Sequence, residues 1–136
     1  MSFDAKITVE GETRKVLKCH YYLDRDTSRN GVPTNRLMGG KITVQLESSG
    51  STFFYDWVIN EFSTKSGEIQ FTKRNDPAAP AKVLKFEDAY LVAYGEDFDV
   101  VGGNREQPMV ETFTFSAHKI TLDPGGTFEN MWEAVN

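Results

Sequence analysis

Cys19 and His20 stand side by side, a thiol next to an imidazole, the two groups from which nucleophilic catalysis is often built. They lie in a stretch where apolar and polar residues alternate as in a strand, and neighbours in a strand point to opposite faces. The imidazole cannot then take the thiol proton, and Cys19 reads as a small hydrophobe of the core. The adjacent carboxylates Glu87 and Asp88 fail as an acid–base pair for the same reason. With His20 and His118 as the two histidines and Cys19 as the single cysteine, a zinc site would need carboxylates from unrelated positions. Glu96, Asp97 and Asp99 could attract calcium, but they lack the ligand spacing and glycine of an EF-hand loop and read as a solvated acidic loop. Gly102-Gly103 leads into Asn104-Arg105-Glu106, with no Gly-Lys-Ser/Thr to cradle a phosphate. The residue types and spacings predict no catalytic, metal or cofactor-binding site, and no enzyme is expected.

A chain of 136 residues suffices for one domain with a real core and is too short for two. A net charge of −5 leaves no concentrated basic face for nucleic acid or an anionic membrane. Arg25, Arg29 and Arg36 do gather, but Asp24 and Asp26 sit among them, as in a solvated loop. Residues 1–10 alternate charged and apolar types instead of forming the apolar stretch of a signal peptide, and no run reaches the roughly 18 apolar residues of a membrane span. A lone cysteine suits a reducing compartment. The expectation is a chain made in the cytoplasm that, if exported, leaves without a signal peptide. Its 10 Phe, 5 Tyr and 2 Trp fit strands, a buried association surface, or both.

Alternation of period two dominates the chain. Residues 3–10 place Phe3, Ala5, Ile7 and Val9 on one face, and after a turn at Gly11-Glu12 residues 14–26 place Leu17, Cys19, Tyr21 and Leu23 inward, a predicted hairpin. Residues 27–40 are dense in turn formers and predict a long irregular loop, a length usually reserved for function. Residues 41–47 form a strand burying Ile42, Val44 and Leu46. Ser51 or Thr52 can cap a helix over residues 53–62, where Phe54, Trp57, Val58, Glu61 and Phe62 share one side. Ile69 and Phe71 point inward from a strand over residues 67–73. A long strand over residues 82–94 carries Leu84, Phe86, Tyr90, Val92 and Tyr94 on one face, with Asp88 as the exception. After a polar loop at residues 95–107, a last strand over residues 109–122 changes phase near His118, as a β-bulge or a strand buried on both faces would. Beyond a barrel domain of residues 1–122, the tail of residues 123–136 spaces Phe128, Met131, Trp132 and Val135 as a short helix, docked on its own barrel or on a neighbouring subunit. The predicted fold is all-β, a barrel or two packed antiparallel sheets, with one flanking α-helix.

Several short motifs carry a resemblance in their order and spacing. They are Met1-Ser2-Phe3-Asp4-Ala5-Lys6 with Glu10-Gly11, then Gly39-Gly40-Lys41-Ile42, Phe54-Tyr55-Asp56-Trp57 and Leu84-Lys85-Phe86-Glu87-Asp88-Ala89-Tyr90, and finally the strand that opens at Pro108-Met109. Up to about Leu122 the chain resembles the tube protein of the type VI secretion system, the Hcp or TssD family. The resemblance implies a β-barrel flanked by a helix, hexameric rings that stack into a hollow tube, small effector proteins in its lumen, and sheath and spike proteins as further partners. It also implies that residues 27–40 reach a neighbouring subunit or the next ring. Arg29, Asn30, Val32, Pro33, Arg36, Leu37 and Met38 are then the candidate subunit contacts of this loop. Phe128, Met131 and Trp132 are a possible second contact in the tail, which matches the family pattern less clearly.

A monomeric barrel holding a small apolar ligand is the alternative, since closed barrels commonly serve that use. Interior volume decides between them. If Leu17, Tyr21, Leu23, Phe86, Phe113 and Phe115 fill the barrel, no ligand fits.

Overall fold

The computed structural model describes residues 3–78, 80–101 and 108–132. Strands β1 (Phe3–Val9) and β2 (Glu12–Tyr21) form an antiparallel hairpin with Val9 opposite Glu12. Its two-residue turn, Glu10-Gly11, has φ values of 46° and 89°, the left-handed pair that matches the twist of the strands it joins. Strands β3 (Lys41–Glu47), β4 (Lys65–Lys73), β5 (Lys82–Phe98) and β6 (Met109–Ser116) complete the order β4-β1-β2-β3-β6-β5, and β4 pairs with β5. That last pairing closes a six-stranded barrel, the all-β class expected, and removes the open edges that aromatic-rich strands would otherwise present. Strand β7 (Lys119–Asp123) follows β6 along β5, and β8 (Thr127–Glu129) pairs with β7.

The core lies inside the barrel. Ile7, Val9, Ile42, Val44, Leu46, Ile69 and Leu84 are fully buried there. Helix α1 (Phe53–Ile59) adds two aromatics to the same core: Phe54 stacks on Phe113 with ring centres 4.2 Å apart, and Trp57 packs on Phe115 at 6.1 Å. Phe86 meets Phe115 at 4.3 Å, so rings run from the helix across the interior. These side chains occupy the volume that a bound apolar ligand would have to fill. The helix ends earlier than the spacing suggests. Thr52 holds the cap position with its hydroxyl bonded to the Asp56 carboxylate at 3.0 Å, while the Phe53 amide donates to the Ser51 hydroxyl at 3.2 Å. Residues after Ile59 turn toward β4, which leaves Phe62 87 % exposed instead of on the buried side, with Glu61 also exposed.

Simple alternation misplaces side chains wherever a strand gains a residue. In β2 the register shifts between Val16 and Lys18, so Leu17 is the extra residue and Val16, opposite Leu46, takes the core position. Cys19 and Tyr21 then face inward opposite Val44 and Ile42, as expected, but Leu23 lies beyond the strand and is 42 % exposed. In β5 the break falls at Asp88, whose φ is 53° and whose amide donates to the Ser66 hydroxyl at 3.1 Å. Leu84 and Phe86 are buried before it, Ala89 and Leu91 after it, and Tyr90 and Val92 face outward against expectation. The phase change near His118 is present, but it separates two strands, β6 and β7, instead of bulging one. Glu87 pairs with Lys119 and Tyr90 with Ser116 in the same register, so the two paired segments turn this corner together.

Three further expectations change. Residues 95–98 belong to β5, not to the polar loop, whose residues 102–107 lie outside the described residues. Phe128 sits in strand β8, so the helix expected over Phe128 to Val135 does not form at Thr127–Glu129, and residues 133–136 lie outside the described residues. The stretch between β2 and β3 is an arm with its own internal bonding, not an irregular loop.

Candidate functional site

The arm is built by turn chemistry, not by burial. It leaves the barrel after Tyr21 and returns at Gly39, and every residue from 22 to 38 is exposed. At its base Asp24 and Met38 exchange both backbone hydrogen bonds, at 2.9 and 2.7 Å. Farther out the Thr34 amide donates to the Asp26 carbonyl at 2.9 Å, and the Asn35 side chain bridges Asp26 twice, accepting from its amide at 2.9 Å and donating to its carboxylate at 3.0 Å. The tip turns through residues 28–32: the Ser28 amide donates to the Val32 carbonyl at 2.8 Å and the Gly31 amide to the Ser28 carbonyl at 3.0 Å. Gly31 has a φ of 87°, which a glycine adopts without strain. Arg29, Asn30, Val32 and Pro33 therefore ride at the tip, while Arg36, Leu37 and Met38 lie on the returning limb beside the barrel.

Candidate residues of the limb and the tail come together in two places. Arg36, Leu37 and Phe128 share an open groove of about 460 Å³ with Tyr21, Leu23, Ile120 and Leu122. Met38 and Trp132 share a smaller concavity of about 250 Å³ with Tyr22 and Asn130. The tip residues Arg29, Asn30, Val32 and Pro33 join neither, and Met131 is 49 % exposed outside both. Trp132 packs on the chain's own barrel, 5.3 Å from the His118 ring and 5.6 Å from Tyr90.

Asn130, which carries no sequence pattern, ties these parts together. Its side-chain amide donates to the carbonyls of Ala117 at 2.8 Å and Gly39 at 3.2 Å, and its backbone amide donates to the His118 carbonyl at 2.7 Å. Gly40, with φ 102°, accepts from the Ala117 amide at 2.8 Å, and a Cβ there would collide with the Asn130 side chain. The tail thus staples the base of the arm to the end of β6.

At the opposite rim, one buried charge pair stands inside the barrel wall. Arg14 pairs across the sheet with inward-facing Ile7, and Glu111 with Leu46, so alternation delivers both charged side chains to the interior. Glu111 is 2 % exposed, and the Arg14 guanidinium sits 3.0 Å from its carboxylate while also donating to the Glu47 carbonyl. Tyr94 donates to the other oxygen of Glu111 at 2.6 Å, and burial together with this bond pushes its hydroxyl well above the usual tyrosine range. The Arg14 charge offsets that of the carboxylate at ion-pair distance and Tyr94 satisfies one of its oxygens, while the oxygen facing Arg14 lacks hydrogen-bond geometry, so the pair is held by charge more than by directed bonding. Burial likewise raises the Cys19 thiol to about 11, which keeps it a protonated packing group at neutral pH. Among the described residues, no three His, Cys, Asp or Glu side chains converge as metal ligands. No described helix is long and apolar enough to cross a membrane.

The family model for haemolysin-coregulated protein Hcp (TssD) matches residues 1–133. The solved structure of Hcp1 from Flavobacterium johnsoniae is 40 % identical, with a TM-score of 0.86, covering 93 % of this chain and 99 % of that one. Hcp1 from Salmonella typhimurium superposes with a TM-score of 0.71 at 12 % identity, over 94 % of this chain and 92 % of that one. A chain of the anti-feeding prophage baseplate shares the fold at a TM-score of 0.54 and 14 % identity, over 88 % of this chain and 91 % of that one. No curated protein matches. A closed barrel with one helix, a self-bonded arm and a near full-length match to Hcp1 all agree, and the chain belongs to the Hcp (TssD) family of type VI secretion tube proteins.

Proposed function

We propose that the chain is a structural, non-enzymatic subunit that closes with copies of itself into hexameric rings, and that these rings stack into a hollow tube carrying effector proteins. The observation that supports this most directly is the arm. It is fully exposed yet internally hydrogen-bonded from base to tip, a preformed projection that needs no ordering when it meets a neighbour. A ring requires one heterologous contact repeated until it closes, and an arm supplies contact area beyond the barrel wall. In this reading Arg29, Asn30, Val32, Pro33, Arg36, Leu37 and Met38 contact the neighbouring subunit, with Phe128 completing the surface at the groove, Met131 adding an exposed side chain outside it, and Trp132 held against the barrel. Sheath and spike proteins are its other partners. The protein is made in the cytoplasm and leaves through the assembled machine, touching neither nucleic acid nor the bilayer.

Native mass spectrometry of the purified protein together with negative-stain microscopy tests the proposal. Hexamer masses and ring-shaped particles are expected; a compact monomer at high concentration, with no rings under any condition, would count decisively against it.

A further inference from the structure

Four lysines that are scattered in the sequence meet on one outer face of the barrel. Across the first hairpin Lys6 stands directly opposite Lys15, both exposed on the side away from the core. The extra residue Leu17 then lets Lys18 and His20 share that side with Lys15, where strict alternation would have turned Lys18 inward. Lys41, opposite Ser116, adds a fourth ammonium from β3. Among the described residues none of the four lysines makes an ion pair. The β4 carboxylate on this side, Glu68, stands opposite Thr8 and accepts from Gln70 at 2.6 Å, while Asp4 is taken by Arg74 at 3.0 Å. Glu47 and Asp97 lie at the far edge, opposite Val110. Toward β6 the face turns neutral: Thr43 bonds Thr114 at 2.9 Å, and Gln45 donates to Thr112 at 3.2 Å. Like charges directly opposite each other in a sheet cost stability, so the pairing of Lys6 with Lys15 does not serve the fold. A negatively charged partner would relieve it.

We infer that this face of β1, β2, β3 and β6 is a docking surface for a partner protein that presents an acidic patch. The docking surface goes beyond the tube-subunit reading and does not require ring closure. Its cations are lysines, with no arginine among them to fork onto phosphate, and its hydroxyls and amides are bonded in pairs, a polar platform suited to a wet contact between proteins. Four strands about 4.8 Å apart and about six residues long span roughly 15 by 20 Å. That is well under the roughly 800 Å² that each partner gives to a stable complex. One copy therefore holds the acidic partner weakly and releases it readily, and copies set side by side hold it by summed contacts. A contact of this kind weakens as salt shortens the range of the charges.

The test uses full-length protein and the fluorescence anisotropy of a labelled decaglutamate peptide, at about 0.05 and 0.3 M NaCl, a range over which screening tightens more than twofold. Wild type is expected to bind the peptide, several-fold less well at the higher salt. Lys15→Glu with Lys18→Glu should lose at least tenfold in affinity. Lys73→Glu with Lys82→Glu makes the same charge change at the rim where β4 ends and β5 begins, and should stay within threefold of wild type. Because Lys15→Glu gives Lys6 an opposite charge across the hairpin, the face variant should also unfold at a higher urea concentration than wild type, so its loss of binding cannot come from loss of fold. No binding by wild type, equal affinity in the face variant and wild type, equal loss in both variants, or a face variant of lowered stability overturns the inference. So does tighter binding of single-stranded DNA of equal charge, or of vesicles rich in phosphatidylserine, which would assign the lysines to phosphate groups.

Discussion

Arg14 and Glu111 show how much depends on a single pair of side chains. Both occupy inward positions of strands that otherwise bury hydrocarbon, and Glu111 at 2 % exposure has left water almost entirely. Removing only the guanidinium, as in Arg14→Met, leaves a buried carboxylate with Tyr94 as its remaining partner and should cost about 3 kcal/mol in urea unfolding. Adding Glu111→Leu should recover most of that loss, because two apolar groups can replace a buried pair at little net cost. A single substitution costing less than about 1 kcal/mol would mean that water reaches the carboxylate. Neither residue stands out in the sequence as part of a network. A charged residue at an inward position looks like a lapse in alternation, and only the folded register reveals that two such lapses meet. Asn130 was illegible for a related reason: one polar side chain in a short tail has no period, and its partners lie in other elements.

The elements themselves were legible where alternation runs unbroken. β1 and β3 bury the residues that period two assigns to them, except that Phe3 at the strand's start is 49 % exposed. Legibility fails at the three places where the register slips, at Leu17, at Asp88 and between Leu91 and Ala93, because an inserted residue reverses the facing of all that follows. The tail failed differently: Phe128, Met131 and Trp132 have helical spacing, but pairing with β7 satisfies the backbone of Thr127–Glu129, and a helix that short gains little by itself. The first hairpin offers a test of turn chemistry. Glu10 holds a φ of 46°, which costs an ordinary L-residue about 1–2 kcal/mol, whereas asparagine tolerates it and Asn-Gly is the favoured pair for such a turn. Glu10→Asn gives up an ion pair with Lys65 whose carboxylate is 51 % exposed, a contact worth roughly 0–1 kcal/mol. The turn term should win, with the urea midpoint rising by an amount equivalent to about 0.5 kcal/mol. A lowered midpoint would show that the ion pair outweighs the strain.

For the molecule as a whole, the packed core and the proposed association surface lie in separate parts. The barrel interior is closed and packed, while the arm from residue 22 to residue 38 contributes nothing to that core. Leu37→Asp with Met38→Asp should therefore leave the unfolding midpoint within about 0.5 kcal/mol of wild type while abolishing ring formation, as judged by circular dichroism and native mass. Intact hexamers in this variant would remove the limb from the subunit contact. The sequence indicated where this arm lies, since turn formers crowd residues 27–40, but not that it begins at residue 22 or that it is rigidly bonded. The Asn130 staple adds a matter of timing. Its side chain closes on Gly39 across 91 positions of chain, so during synthesis the root of the arm stays open until that much more polypeptide has emerged from the ribosome.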